Sequence, residues 1–103
     1  MALYRVTTPL HKFTFPISPD NFEIIKITYA QRNKIVFEKE KPDMTFDENK
    51  VLVRLSQEET KAFDARYPVQ IQVRGLTYTG SAVASKTFER TVEEVLDDGI
   101  LGN

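Results

Sequence analysis

The chain has 103 residues, enough for one domain with a single hydrophobic core and too few for two. Hydrophobic residues make up 41% of it, which excludes intrinsic disorder, and the net charge of −1 argues against a nucleic-acid module or a polybasic membrane surface. The sequence contains no cysteine, so disulfides and thiolate zinc sites are excluded.

Alternation of apolar and polar side chains dominates the chain and is typical of strands with one buried face. The polar run at residues 31–34 predicts a hairpin turn between two of these strands, and Gly75 indicates a bulge in another. The side chains predicted to face inward, strand by strand, are Phe13 and Phe15; Ile25, Ile27 and Tyr29; Ile35 and Phe37; Met44 and Phe46; Val51, Val53 and Leu55; and Val69, Ile71 and Val73.

A helix start is the clearest local motif in the sequence. Residues 56–59 read Ser-Gln-Glu-Glu, which matches a capping box. The Ser56 hydroxyl accepts from the backbone N–H of Glu59, and the Glu59 carboxylate accepts from the N–H of Ser56. The helix has about two turns before Pro68, so it depends on Phe63 packing against a sheet for its stability.

Six to seven strands, hairpin-like links and one short helix predict a single all-β domain over residues 1–103. The expected architecture is an antiparallel β-sandwich, immunoglobulin-like in general build, with a small closed barrel as the alternative. No window has the length and apolar character of a signal-peptide core or a membrane span, which predicts a protein that stays in the cytoplasm unless it leaves within a larger particle.

Residues with catalytic potential are few. His11 is the only histidine, and no nucleophile motif accompanies it, so we interpret it as an edge or surface residue. The acidic residues Asp43, Asp47 and Glu48 do not have the spacing of a calcium loop and are interpreted as a solvated turn. We therefore expect no enzyme activity, no catalytic residue, no metal and no cofactor.

The segment 92–103, called here the C-terminal tail, is the best interface candidate in the sequence. Its apolar residues either dock onto their own sandwich or are covered by another subunit, and the sequence leaves both possibilities open. The candidate interface residues are Val95, Leu96, Ile100 and Leu101.

Several motifs in order resemble those of small phage or prophage proteins of gut Firmicutes. They include a Thr-Pro start at Thr8–Pro9, a Tyr-Ala-Gln hairpin at residues 29–31, a Leu-Ser-Gln-Glu-Glu-Thr helix start at residues 55–60 and a Gln-Val-Arg strand at residues 72–74. More loosely, the design is similar to the N-terminal sandwich domain of phage baseplate upper proteins.

This resemblance implies a virion structural or assembly protein of a tail or baseplate, made in the host cytoplasm and then carried in the virion. Its partners would be other phage structural proteins or further copies of itself in a homo-oligomer, with no role for nucleic acid or membrane. The resemblance to phage proteins assigns no functional residues. The alternative is a module that binds a carbohydrate or surface ligand through loops at one end of the sandwich, using Phe46, Tyr67 and Tyr78.

Overall fold

Two sheets pack face to face in the computed structural model, which describes residues 2–102; residues 1 and 103, the ends of the predicted domain, lie outside the described residues. The described part contains one α-helix, α1, at Gln57–Lys61. Its strands are β1 (Leu3–Tyr4), β2 (Leu10–Thr14), β3 (Phe22–Gln31), β4 (Lys34–Glu40), β5 (Met44–Asp47), β6 (Lys50–Arg54), β7 (Val69–Thr77), β8 (Ala82–Ala84), β9 (Phe88–Arg90) and β10 (Val92–Glu93).

The strand order defines two antiparallel sheets and one small parallel pair. The three-stranded sheet has the order β2-β6-β5, and the five-stranded sheet has the order β4-β3-β7, with β8 and β9 both paired to the outer edge of β7. Strands β1 and β10 pair in parallel, Leu3 opposite Val92, which joins the N-terminal segment to the start of the C-terminal tail. The prediction of an all-β sandwich with one short helix is confirmed.

The core lies between the two sheets and consists of the side chains on the inward phase of each long strand. Ile25, Ile27 and Tyr29 of β3 are fully buried, as predicted. They pack with Val51 and Val53 of β6, with Leu55 just after that strand, and with Val69, Ile71 and Val73 of β7. Period-two patterning identified these positions because a strand with one buried face places every second side chain in the core.

Two predictions on the neighbouring edge strands are wrong. Ile35 is 62% exposed, because the pairing of β3 with β4 shifts between Tyr29 and Ala30 and leaves Val36 as an extra residue. Such a bulge reverses the facing of the residues beyond it, so Val36 and Phe37 pack on the core. Phe46 lies beside the β5–β6 turn at the end of its sheet and is 39% exposed, whereas Met44 is buried.

The predicted hairpin turn is shorter than the polar run that indicated it. Gln31 belongs to β3 and is buried, so the turn consists of Arg32 and Asn33. Both have positive φ angles, 53° and 62°, which is the backbone conformation of the two-residue turns that suit the twist of a hairpin. Asparagine tolerates this conformation better than most residues.

The predicted capping box is confirmed. The N–H of Glu59 donates to the Ser56 hydroxyl at 3.1 Å, and the N–H of Ser56 donates to a Glu59 carboxylate oxygen at 2.8 Å. Thr60 is fully buried; its hydroxyl donates to the Thr7 carbonyl and accepts from the Thr7 N–H, both at 2.9 Å. The helix is therefore held by hydrogen bonds to the N-terminal segment as well as by packing of Phe63.

Gly75 allows a close approach between strands, and the bulge predicted there lies instead in β3, between Phe22 and Ile24. A Cβ atom on Gly75 would lie 2.7 Å from a ring carbon of the buried Phe22. We expect Gly75→Ala to lower the free energy of unfolding by about 1–3 kcal/mol, because the packed ring has to move. Urea denaturation checks this, with Gly99→Ala, a change in the exposed tail, as the control. Equal stability of the two variants would contradict the prediction.

Candidate binding groove

An open groove of about 1290 Å³ separates one edge of the three-stranded sheet from one edge of the five-stranded sheet. Strand β2 and the segment that follows it to Ile17 form one wall, and parts of β7, β8 and β9 form the other. Residues 2–4 also line the groove. The groove exists because these two sheet edges stay apart, whereas on the other side of the sandwich Lys41–Asp43 links β4 directly to β5.

The backbone on both sides of the groove is available for further strand pairing. Within residues 2–102, β2 pairs with β6 alone, so the edge that faces the groove has no strand partner. The opposite edge consists of β8 and β9, which have only three residues each. Unpaired N–H and C=O groups on a sheet edge are a template for an added strand.

The side chains of the groove are apolar and basic. The partly exposed apolar residues along it are Tyr4, Leu10, Phe13, Ile17, Val83 and Phe88. The charged side chains among the described residues that line it are Lys12, Arg74 and Arg90, all exposed and all basic. A chain with slightly more acidic than basic residues thus has a groove of one charge sign. This combination suits an extended, apolar and acidic segment.

His11 and Tyr29 connect the groove to the core. The two rings stack with centroids 5.7 Å apart, and His11 Nδ1 and the Tyr29 hydroxyl share a hydrogen bond of 2.7 Å. Burial lowers the pKa of His11 below its usual range, and the nearby Arg90 lowers it further. Burial also raises the pKa of Tyr29 well above its usual value, with Glu59 adding to the effect. Both groups are therefore neutral near pH 7.

We expect the stability of the domain to fall as the pH drops from about 6.5, the pKa of an unfolded-state histidine. The folded state has the lower His11 pKa, so the unfolded chain binds the proton first and acid shifts the equilibrium towards unfolding. The loss begins near pH 6.5 and is complete below the lowered pKa. Denaturation between pH 7.5 and 5 should show a weaker pH dependence for His11→Gln. Identical profiles for the variant and the parent would contradict this.

The predicted interface residues lie apart from the groove, alongside α1. Leu96 is fully exposed and Leu101 is 77% exposed, whereas Val95 and Ile100 are half-buried. The backbone of Leu101 exchanges two hydrogen bonds with the Gln57 side chain, at 2.8 and 2.9 Å. Contacts with the chain's own domain therefore hold the tail mainly by its backbone and charges, and leave two large apolar side chains in solvent.

The three aromatic residues of the alternative hypothesis do not share one end of the sandwich. Tyr67 precedes β7 and lies against Arg32, whereas Tyr78 follows β7 and lies against Lys41. Nine strand residues separate them, which corresponds to about 30 Å. Phe46 lies on β5 in the other sheet. Tyr67 and Tyr78 are therefore too far apart to belong to one loop site.

Sequence reasoning missed the groove and the role of its three basic side chains. Lys12 and Arg74 occupy outward positions of alternating strands, and Arg90 lies in the irregular strand near the chain end. The sequence does not reveal that β2 and β9 lie at sheet edges facing each other, because that depends on strand order. The basic residues do not by themselves indicate the groove, because Arg74 lies on the extensively paired strand β7.

Comparison with protein-family models and with curated proteins gave no match. The groove is therefore interpreted from its own geometry and charge. Among residues 2–102, no helix combines the length and apolar character needed to cross a bilayer.

Proposed function

We propose that this protein is a non-enzymatic structural or assembly subunit of a phage particle, in its tail or baseplate, which acts through protein–protein contacts. One observation carries the proposal: an apolar, basic groove lies between two sheet edges that have backbone groups free for an added strand. A site of this kind binds an extended polypeptide by strand addition. The order of sequence motifs that resembles phage and prophage proteins supports the choice of particle.

The shape of the groove favours a polypeptide over a small molecule. It is open and extended, and its polar side chains are distributed along its length, whereas small-molecule sites converge a few polar groups in an enclosed pocket. The separation of Tyr67 from Tyr78 weighs against the carbohydrate-binding alternative. Repeated contacts of moderate strength, multiplied by the symmetry of a ring, are sufficient for a particle subunit.

Purified particles test this proposal. Mass spectrometry of phage particles released by induction of the prophage that carries the gene should detect the chain in several copies per particle. Lys12→Glu should reduce its incorporation, because it reverses a charge inside the groove. Lys34→Glu is the matched control, since Lys34 is exposed and lies outside the groove. Absence of the chain from the particles and from tail or baseplate intermediates would contradict the proposal.

A further inference from the structure

The groove and the C-terminal tail have opposite charges. We propose that the groove of one copy binds residues 94–102 of the tail of a second copy, so that the subunits are joined by tail insertion. The inference rests on the proposed function, because it names the partner for one of the protein–protein contacts which that function requires.

Charge complementarity is the first argument. The tail contains Glu93, Glu94, Asp97 and Asp98 and has no basic residue, since Arg90 is the last one in the sequence. Every charged side chain that lines the groove in the described part of the chain is basic. Attraction between two such surfaces orients the partners before they make close contact and disfavours basic segments as alternatives.

The placement of the charges is the second argument. Arg90 lies opposite the buried Val69, so its side chain is on the inner face of the five-stranded sheet, towards the groove. Arg74 lies five residues from Val69 along β7, an odd number, so its side chain is on the outer face of that sheet. Lys12 is on β2, the strand along which an inserted tail would pair. The basic side chains that the acidic residues of the tail can meet are therefore Arg90 and Lys12.

The length of the tail is the third argument. Residues 94–102 span about 30 Å when fully extended. Strand β2 has five residues and is about 17 Å long, so the inserted segment can follow its whole free edge and add backbone hydrogen bonds. The apolar residues Val95, Leu96, Ile100 and Leu101 lie on both faces of an extended strand and suit a groove with two apolar walls.

The position of the tail in a single copy is the fourth argument. The tail lies along α1 while the groove of the same copy stays open. Its ionic contacts are with Arg5, which pairs with Glu94 and lies 3.8 Å from Asp98. The carboxylates of these pairs are more than half exposed, whereas the Arg5 side chain is 14% exposed, so insertion has to offset the loss of these pairs. Insertion into a groove would bury Leu96 and Leu101, which are otherwise in water.

A charge-swap experiment on the full-length chain tests the inference. Light scattering and sedimentation over a range of concentrations measure self-association of the parent, of the groove variant Lys12→Glu/Arg90→Glu, and of the tail variant Asp97→Lys/Asp98→Lys. Each variant should weaken association at least tenfold. The variant that carries all four changes should recover it, because the charges again attract. Lys34→Glu/Lys50→Glu, a change of the same charge outside the groove, should leave association unchanged, and circular dichroism checks that every variant is folded.

The outcomes separate this inference from the function on which it rests. Tail insertion is supported if the groove variant and the tail variant both associate more weakly than the parent and the fourfold variant recovers the association. If the charge-reversed variants associate as strongly as the parent, tail insertion is overturned, and the subunits assemble through another surface. A parent that stays monomeric at all concentrations would also overturn it, whereas the proposed function would still stand if the chain is found in purified particles.

Discussion

Replacement of Phe63 with alanine is expected to lower the free energy of unfolding by about 3–5 kcal/mol. Phe63 follows α1 and is 1% exposed, and its ring lies 5.4 Å from that of Phe37 and 6.3 Å from that of Tyr29. Alanine would leave a cavity in this aromatic cluster and would remove the packing that holds a five-residue helix on the sheet. A loss of this size is a large share of the total stability of a small domain.

Chemical denaturation with urea measures the effect of Phe63→Ala. Phe46→Ala is the matched control, because it removes the same ring from a position that is 39% exposed on the edge strand β5. Phe46→Ala should lower the free energy of unfolding by less than about 2 kcal/mol, since part of that ring is already in water. A Phe63→Ala protein as stable as the control would mean that α1 and its connection contribute little to the fold.

Substitution of Gln31 with leucine is expected to lower the free energy of unfolding by about 3 kcal/mol, although leucine is the more hydrophobic residue. The Gln31 side chain donates to the carbonyls of Asp64 and Tyr67 at 2.7 and 2.8 Å and accepts from the N–H of Asp64 at 2.8 Å. Leucine removes all three bonds and takes away the partners of the Asp64 N–H and the Tyr67 carbonyl, whereas the Asp64 carbonyl still accepts from the Tyr67 N–H at 3.2 Å. Buried polar groups without partners cost more than the lost bonds alone.

The neighbouring strand offers a matched control for Gln31. Gln70 pairs with Ala30 across β3 and β7, and its amide makes two hydrogen bonds with Asn33 at 2.9 and 3.1 Å. Those bonds are exposed, so water replaces them in Gln70→Leu. The free energy of unfolding should therefore change by no more than about 1 kcal/mol. Thermal and urea denaturation of both variants measure the difference. Equal losses would show that burial does not matter at Gln31.

Features that depend on a few adjacent residues could be predicted from the sequence. The capping box at Ser56 and Glu59 is local, because both partners lie within one helical turn. The buried faces of β3, β6 and β7 follow from strict alternation, which leaves only one way to bury the apolar residues. These elements together fix the fold class.

Features that depend on register or strand order could not be predicted. The extra residue Val36 reverses the facing of Ile35, and nothing in the local pattern marks that bulge. The burial of Gln31 depends on a loop more than thirty residues away, which offers its backbone groups to the amide. For the same reason the groove could not be predicted: the tail is visible in the sequence as an apolar and acidic segment, whereas the groove requires knowledge of which strands form the sheet edges.

The parallel pairing of β1 with β10 determines how the domain responds to mechanical load. The N–H of Leu3 donates to the Thr91 carbonyl at 2.7 Å, and the N–H of Arg5 donates to the Glu93 carbonyl at 2.9 Å. The two strands run in the same direction, so tension applied at opposite chain ends slides one along the other. Both hydrogen bonds then carry the force simultaneously, in shear, and do not open one after the other. Once the contacts of the tail with Gln57 and Arg5 are broken, strain transmitted through the termini therefore meets this pair before it reaches the sandwich.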